Sequence, residues 1–263
     1  MAGDPFYKNR WINIEQDRLD RYKRLFQWNP ASSVFYEPAD IRPGQIVADF
    51  GCGPGHTAVE IAKWVGRDGY VHALDINSDF IAQTRQNVRA AGVGDRVTAH
   101  QCDGSALPLP DKSLDCLTTR NTILYVDDAV GTISEFRRVL RAGGKVHAIE
   151  GDWPMMVVEP VSSKDWANLV DAASHAYRTP NIGRKLYSLM GLAGFKDIDV
   201  QVITRPDTDG RLLQMIKNMA GYARSSGKMS DSDVDEILST IEQAVSDGSY
   251  LALAPQFVVT ATR

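Results

Sequence analysis

The sequence predicts an α/β chain built on a doubly wound, mostly parallel sheet. Three observations predict it: short apolar runs that read as strands, helical stretches of ten or more residues between them, and a glycine-dense turn, FGCGPG, directly after the first strand. Strands alternating with helices of this length form βαβ units. Right-handed crossovers then place helices on both faces of the sheet. A length of 263 residues suits one large domain, or one domain with an insertion.

The elements follow in order. Residues 5–40 are rich in aromatics and charge, and 13–27 reads as a helix with Ile14, Leu19, Tyr22 and Phe26 on one face. Pro43-Gly44 turns the chain into a strand at 46–50, and a helix at 56–65 follows the glycine turn. A turn at 67–69 leads to a strand at 70–75. Ser78 is the expected N-cap of a helix at 79–91 that stops at Gly92. A strand at 96–102, a loop marked by Pro108 and Pro110, a strand at 113–120 and a helix at 128–140 come next. Gly143-Gly144 is expected to turn into a strand at 145–150. After Glu150 the rhythm changes. A helix begins near Ser163 with Trp166, Leu169, Val170 and Ala173 as its apolar face. A helix at 181–193, a strand at 196–205, helices at 209–223 and 231–246 and a last strand at 255–263 complete the chain.

Composition excludes several classes. The net charge is −4 and no run of Lys or Arg forms a basic stripe, which argues against nucleic acid and anionic membrane as partners. The three cysteines are scattered with no CxxC spacing, so neither a disulfide framework nor a metal site is expected. The N-terminus is polar and no apolar run approaches the ~18 residues of a membrane span, so a cytoplasmic location is expected. His72, His100 and His147 fall inside strands and read as structural.

The stretch VADFGCGPGHTAVEIA, Val47–Ala62, carries the chemistry. In doubly wound sheets, ligands bind beyond the carboxyl ends of the strands, at the switch point of the winding. Gly51 and Gly53 permit positive φ and close backbone approach, and the helix that follows offers unpaired N–H groups. A phosphate loop would need Lys followed by Ser or Thr after Gly55, and none is present. The dinucleotide fingerprint wants Gly or Ala where His56 stands, although Asp75 lies at the right remove downstream. Taken alone, the loop leaves its ligand open.

Four ordered landmarks narrow the choice. VADFGCGPG resembles the nucleotide loop of class I S-adenosylmethionine-dependent methyltransferases. ALDIN (73–77), QCDGSALPLPDKSLDCLTTRNTILYVDD (101–128) and EFRRVLRAGGKVHAIE (135–150) resemble successive elements of the ubiquinone/menaquinone-biosynthesis type, a small-molecule branch. The resemblance covers 43–150 well, and 180–205 with 255–263 more loosely. It implies a Rossmann-like, seven-stranded, mostly parallel sheet with an antiparallel last strand. It also implies an N-terminal helical lid (1–42), a core (43–205 and 255–263) and a helical insertion or cap (206–254). S-adenosylmethionine is the implied cofactor. Asp49 would meet its methionine ammonium, Gly51, Gly53 and Gly55 its methionyl and ribose parts, and Asp75 its ribose hydroxyls. Ile76 would lie on the adenine face, Asp103 would take the adenine amine with Gly104 and Ser105 alongside, and Asn121 would add a backbone contact.

On the acceptor side the sequence offers candidates. Tyr125 stands where these methyltransferases often carry His. Glu150 and Asp152 beside Trp153 could receive a cationic or amine acceptor, or be paired with an arginine. His175 is a further candidate base. Tyr7, Trp11, Tyr22 and Phe26 would exclude water and line an aromatic-tolerant pocket, or pack as ordinary core. The [ND]PP[YF] signature of some nitrogen methyltransferases is missing, because 121–124 reads NTIL. The expected function is in-line methyl transfer to a small-molecule acceptor, aromatic or nitrogen-containing, in secondary metabolism, by a monomer or homodimer. The alternatives are an NAD-dependent oxidoreductase and a cofactor-binding protein of this fold that transfers nothing.

Overall fold

The computed structural model describes residues 6–263. In chain order these form α1 (Phe6–Ile12), α2 (Gln16–Leu25), β1 (Ile46–Phe50), α3 (His56–Trp64), β2 (Tyr70–Asp75), α4 (Ser78–Ala90), β3 (Val97–Gln101), β4 (Leu114–Arg120), α5 (Ala129–Val139) and β5 (Leu140–Gly151). Beyond them lie β6 (Val157–Glu159), α6 (Ser163–Ala173), α7 (Ile182–Leu192), β7 (Lys196–Ile203), α8 (Leu213–Ser226), α9 (Asp231–Asp247), β8 (Leu251–Leu253) and β9 (Gln256–Thr262).

β3-β2-β1-β4-β5-β9-β7 is the strand order of the seven-stranded sheet. β1 pairs in parallel with β2 and β4, β2 with β3, and β4 with β5, while the last strand runs antiparallel. The winding reverses between β1 and β4, where a ligand crevice opens in such sheets. β1 is short and apolar because it is covered on both faces. Val47 and Ala48 are wholly buried, and Val47 joins Ala58, Ile61, Val71 and Ile81 in one core cluster with α3 and α4. From its other face the Phe50 ring meets Phe136 of α5 edge-on at 5.0 Å.

Two compact units divide the chain. The first comprises Met1–Glu150, Lys185–Gln201 and Val258–Arg263, the second Gly151–Arg184 and Val202–Phe257. Residues 151–184, which the sequence placed with the core, thus group with the α8–α9 pair. The first five residues of the expected lid lie outside the described residues. Among the described residues no helix is long and apolar enough to cross a membrane.

Four local expectations change. The helix expected at 13–27 is the shorter α2, and a separate helix, α1, precedes it; the Asn77 side-chain amide donates to the carbonyls of Trp11 (2.9 Å) and Ile12 (3.3 Å) at the end of α1, meeting acceptors that a continuous helix would use. Asn77, not Ser78, caps α4, its side chain accepting from the Phe80 amide at 2.8 Å. Gly143 does take the left-handed conformation (φ 75°), but as a kink inside a longer β5 that begins at Leu140. There the Gly143 amide donates to the Arg263 carbonyl and the Arg263 amide to the Gly144 carbonyl. Strands β6 and β8, antiparallel with Val157 opposite Leu253, have three residues each, too few to show a period.

Asn77 combines a cap with two bonds to α1, so Asn77→Ala is expected to cost about 1–3 kcal/mol of unfolding free energy. Ser78→Ala should stay within about 0.5 kcal/mol. Urea unfolding of both variants checks the order, which would reverse if Ser78 were the cap.

Candidate functional site

Asp49 ends β1 opposite Thr118 of β4. Its carboxylate is 3% exposed, and Oδ1 accepts a long bond from the Thr118 hydroxyl at 3.4 Å. Oδ2 is buried with no hydrogen-bond partner among the described residues. Burial raises its pKa to about 7, the neighbouring Asp75 charge adding to the rise.

The loop that follows is held open by backbone geometry. Gly51 has φ 75°, and a Cβ there would lie 2.0 Å from the Thr122 hydroxyl oxygen. Gly53 has φ 52° and faces the Phe26 ring of α2, 3.5 Å from where its Cβ would be. Only glycine fits these conditions at low cost. Gly55, at φ 81°, is the left-handed residue from which α3 starts.

Asp75 ends β2 and braces this loop. Its Oδ2 accepts from the Gly53 amide at 2.8 Å and its Oδ1 from the Asn77 amide at 2.9 Å. Burial raises its pKa to about 6 against the lowering effect of those amides. Two neighbours complete the bracing: the Thr84 hydroxyl donates to the Gly53 carbonyl (3.0 Å) and the Asn87 amide to the Pro54 carbonyl (2.8 Å). Ile76 is half-buried next along the chain, its carbonyl accepting from Gln101. Asp103 is exposed after β3, with Oδ1 accepting from the Ser105 amide and hydroxyl, which hold its pKa below the usual range. Between them Gly104 (φ 83°) lies against the Phe50 ring. Asn121, after β4, is exposed and left-handed (φ 50°), its amide donating to the Ile149 carbonyl. The strand ends of β1, β2, β3 and β4 thus carry the residues that the sequence singled out for the cofactor.

The aromatic residues of the expected lid reach the same place. Trp11 stacks on Tyr22 (5.3 Å), Tyr22 on Phe26 (5.0 Å), and Trp11 meets Tyr125 edge-on at 5.0 Å. Phe26 also touches Phe80 at the start of α4. Arg18, 3% exposed, lays its guanidinium over both Trp11 (5.2 Å) and Tyr22 (5.1 Å). Tyr7 donates to Asp127 Oδ1 at 2.5 Å, and Lys8 pairs with its Oδ2 at 3.0 Å.

Glu150 and Asp152 are otherwise engaged. Glu150, wholly buried at the end of β5, accepts from the amides of Thr122 (2.8 Å) and Ile123 (2.7 Å) through one oxygen, so it shapes the loop after β4. Burial raises its pKa to about 8. Asp152, in the second unit, gives both oxygens to Arg184 at 2.6 Å each. His175 and Trp153 also lie in the second unit. The His175 ring lies between the Ala172 carbonyl and the Ser225 hydroxyl, and the Trp153 ring lies 5.5 Å from that of Tyr177. Sequence reasoning missed Asn77, Thr118, Thr122 and Arg18. Only Asn77 left a signal, as a strong capping residue one place before the chosen cap.

A doubly wound sheet with a glycine loop, acids on successive strand ends and an aromatic cover defines a nucleotide-cofactor enzyme. The comparisons narrow the class. Residues 47–144 match the family model described as a methyltransferase domain. The ubiquinone/menaquinone biosynthesis C-methyltransferase UbiE of Xanthomonas axonopodis pv. citri is 31% identical over 176 residues, covering 61% of this chain and 70% of that protein. An uncharacterized 37.1 kDa protein in transposon TN4556 of Streptomyces fradiae is 31% identical over 225 residues, 85% of this chain, which spans only 59% of that relative's length. Among solved structures, a SAM dependent methyltransferase from Aquifex aeolicus covers 93% of this chain and 97% of its own (TM-score 0.57, 15% identity). Phosphoethanolamine N-methyltransferase 2 of Haemonchus contortus, in complex with S-adenosyl-L-methionine, covers 99% of this chain and 60% of its own (TM-score 0.66, 18% identity). The chain belongs to the class I S-adenosylmethionine-dependent methyltransferases of the UbiE-like kind.

Asp49, Asp75 and Glu150 all have pKa values raised above their ordinary ones in the folded chain. Each therefore contributes stability that is fully present near pH 4 and is lost as pH rises through about 6, 7 and 8. The melting temperature of the ligand-free protein is expected to fall by several degrees across that window. Asp49→Asn should flatten the profile around pH 7, which scanning calorimetry from acid to alkaline pH measures.

Proposed function

We propose that this chain transfers a methyl group from S-adenosylmethionine to an electron-rich ring carbon of a neutral, planar small molecule held against the Trp11–Tyr22–Phe26–Tyr125 aromatic wall. The aromatic wall over the glycine loop carries this reading.

The residues present fit the cofactor. The unpartnered, buried Oδ2 of Asp49 is suited to an ammonium, and the N-terminus of α3 presents backbone N–H groups beside the glycine turn. Asp75 keeps acceptor capacity for a ribose hydroxyl on each oxygen beyond its amide bonds. Ile76 and Asp103, with Gly104 and Ser105, would take the adenine, and Asn121 would add a backbone contact to the methionine part. The bound cofactor supplies a methyl group activated on sulfonium. The protein's work is to bind, orient and exclude water.

Two observations favour a ring carbon over an amine. Of the acids that would receive a cationic acceptor, Asp152 is committed to Arg184, and burial raises the Glu150 pKa to about 8, which leaves its carboxyl mostly uncharged at pH 7. The faces of Trp11 and Tyr22 already hold the Arg18 guanidinium, itself paired with Glu15 at 3.5 Å, as their cation. The UbiE relative is a C-methyltransferase, in agreement with this preference. Residues 6–25, as α1 and α2, would act as the lid.

The test is turnover with S-adenosylmethionine against hydroquinones, phenols and alkyl amines, with product mapping by mass spectrometry. Carbon methylation of a ring acceptor is expected. Trp11→Leu should lower kcat/KM for it by about tenfold or more, corresponding to ~1.4 kcal/mol, with the cofactor Kd within about threefold of wild type. Asp75→Asn should instead weaken cofactor binding by about tenfold or more, having lost an acceptor facing two amides. Transfer to alkyl amines alone, insensitive to Trp11, would contradict the proposal.

A further inference from the structure

We propose that the second unit carries its own binding site for a neutral, hydrophobic small molecule that presents one hydrogen-bond acceptor. The inference rests on the second unit alone and goes beyond methyl transfer.

A cavity of about 430 Å³ lies between the segment around β6 and helix α6. That volume is in the range of small-molecule sites. Its lining includes the buried apolar side chains Met156, Val158, Val161 and Val170, and the Trp166 ring. Met155 and Val157 also line it and stay 41% and 43% exposed, forming an apolar rim. Such a lining favours an apolar occupant over water.

One polar group stands out. Trp166 is 5% exposed, and its indole N–H is buried with no hydrogen-bond partner among the described residues. Buried donors are almost always satisfied, and an indole N–H can only donate. The Ser174 hydroxyl, also in the lining, already donates to the Asp171 carbonyl. A ligand carbonyl or ether oxygen would meet the indole's need.

Charge narrows the ligand further. Glu159 and Asp171 are the charged residues of the lining, and no Lys, Arg or His accompanies them there. Asp171 is paired across α6 with Lys228 at 3.4 Å. Carboxylates and phosphates are therefore disfavoured, and a neutral ketone, ester or ether with an apolar body fits.

The probe is 6-propionyl-2-(dimethylamino)naphthalene, which is neutral, planar and carries one ketone; 2-(dimethylamino)naphthalene, lacking the ketone, is its control. Fluorescence titration of the full chain should show saturable binding of one equivalent of the ketone. Trp166→Phe keeps the ring and removes the donor, and should weaken the ketone about tenfold while leaving the control unchanged. Ala167→Phe, on the exposed side of α6 where Ala167 lines the cavity, should abolish binding of both probes without lowering the melting temperature. The proposal is overturned if the wild-type chain shows no saturable binding or if Ala167→Phe leaves binding intact. It is likewise overturned if Trp166→Phe spares the ketone or weakens both probes alike.

Discussion

The carboxylate of Asp75 is the fixed point on which the rest of the first unit depends. With one oxygen it holds the Gly53 amide and with the other the Asn77 amide, so the end of β2 sets both the glycine loop and the start of α4. Asn77 extends the bracing outward, capping α4 through its carbonyl oxygen and ending α1 through its amide. From α1 the aromatic stack runs back over the loop and closes on Gly53 through Phe26. A single buried acid therefore connects loop, helix and cover through charge-assisted bonds, which are stronger than neutral ones.

Such a design costs solvation. Asp49, Asp75 and Glu150 are all taken from water, and all have raised pKa values. Their resolutions differ in an instructive way. Glu150 spends one oxygen on the amides of the loop after β4, and Asp75 spends both on the bracing of the glycine loop. The second oxygen of Glu150 has no partner among the described residues, and Asp49 has only the long bond from Thr118 beside its own orphaned oxygen. An acid that the fold leaves unmet at a strand end is the feature a cationic ligand group would complete.

Much of this was legible in the chain. The strand–helix alternation gave the sheet because each strand is a short apolar run bounded by turn residues, and β2 occupies 70–75 as its pattern indicated. The strand-end acids were legible because a site at the switch point requires them there. Other features were not. Nothing local in Phe6–Ile12 shows that the Trp11 ring meets Tyr125 edge-on, since the contact spans about a hundred residues. The partner of Asp152 is Arg184, thirty-two residues on in α7, and spacing gave no reason to choose it over other arginines. Glu150 looked like a candidate for chemistry, whereas its depth and its two amide partners emerge only when β4 and β5 lie side by side.

Hydrogen exchange by mass spectrometry, with and without S-adenosylmethionine, tests most directly whether Asp75 joins loop and cover. The account predicts that cofactor slows exchange in 51–55 and in 11–22 together, and that Asp75→Asn at saturating cofactor removes the protection of 11–22 while part of that at 51–55 persists. Protection of the loop with exchange in 11–22 unchanged in the wild-type chain would contradict it.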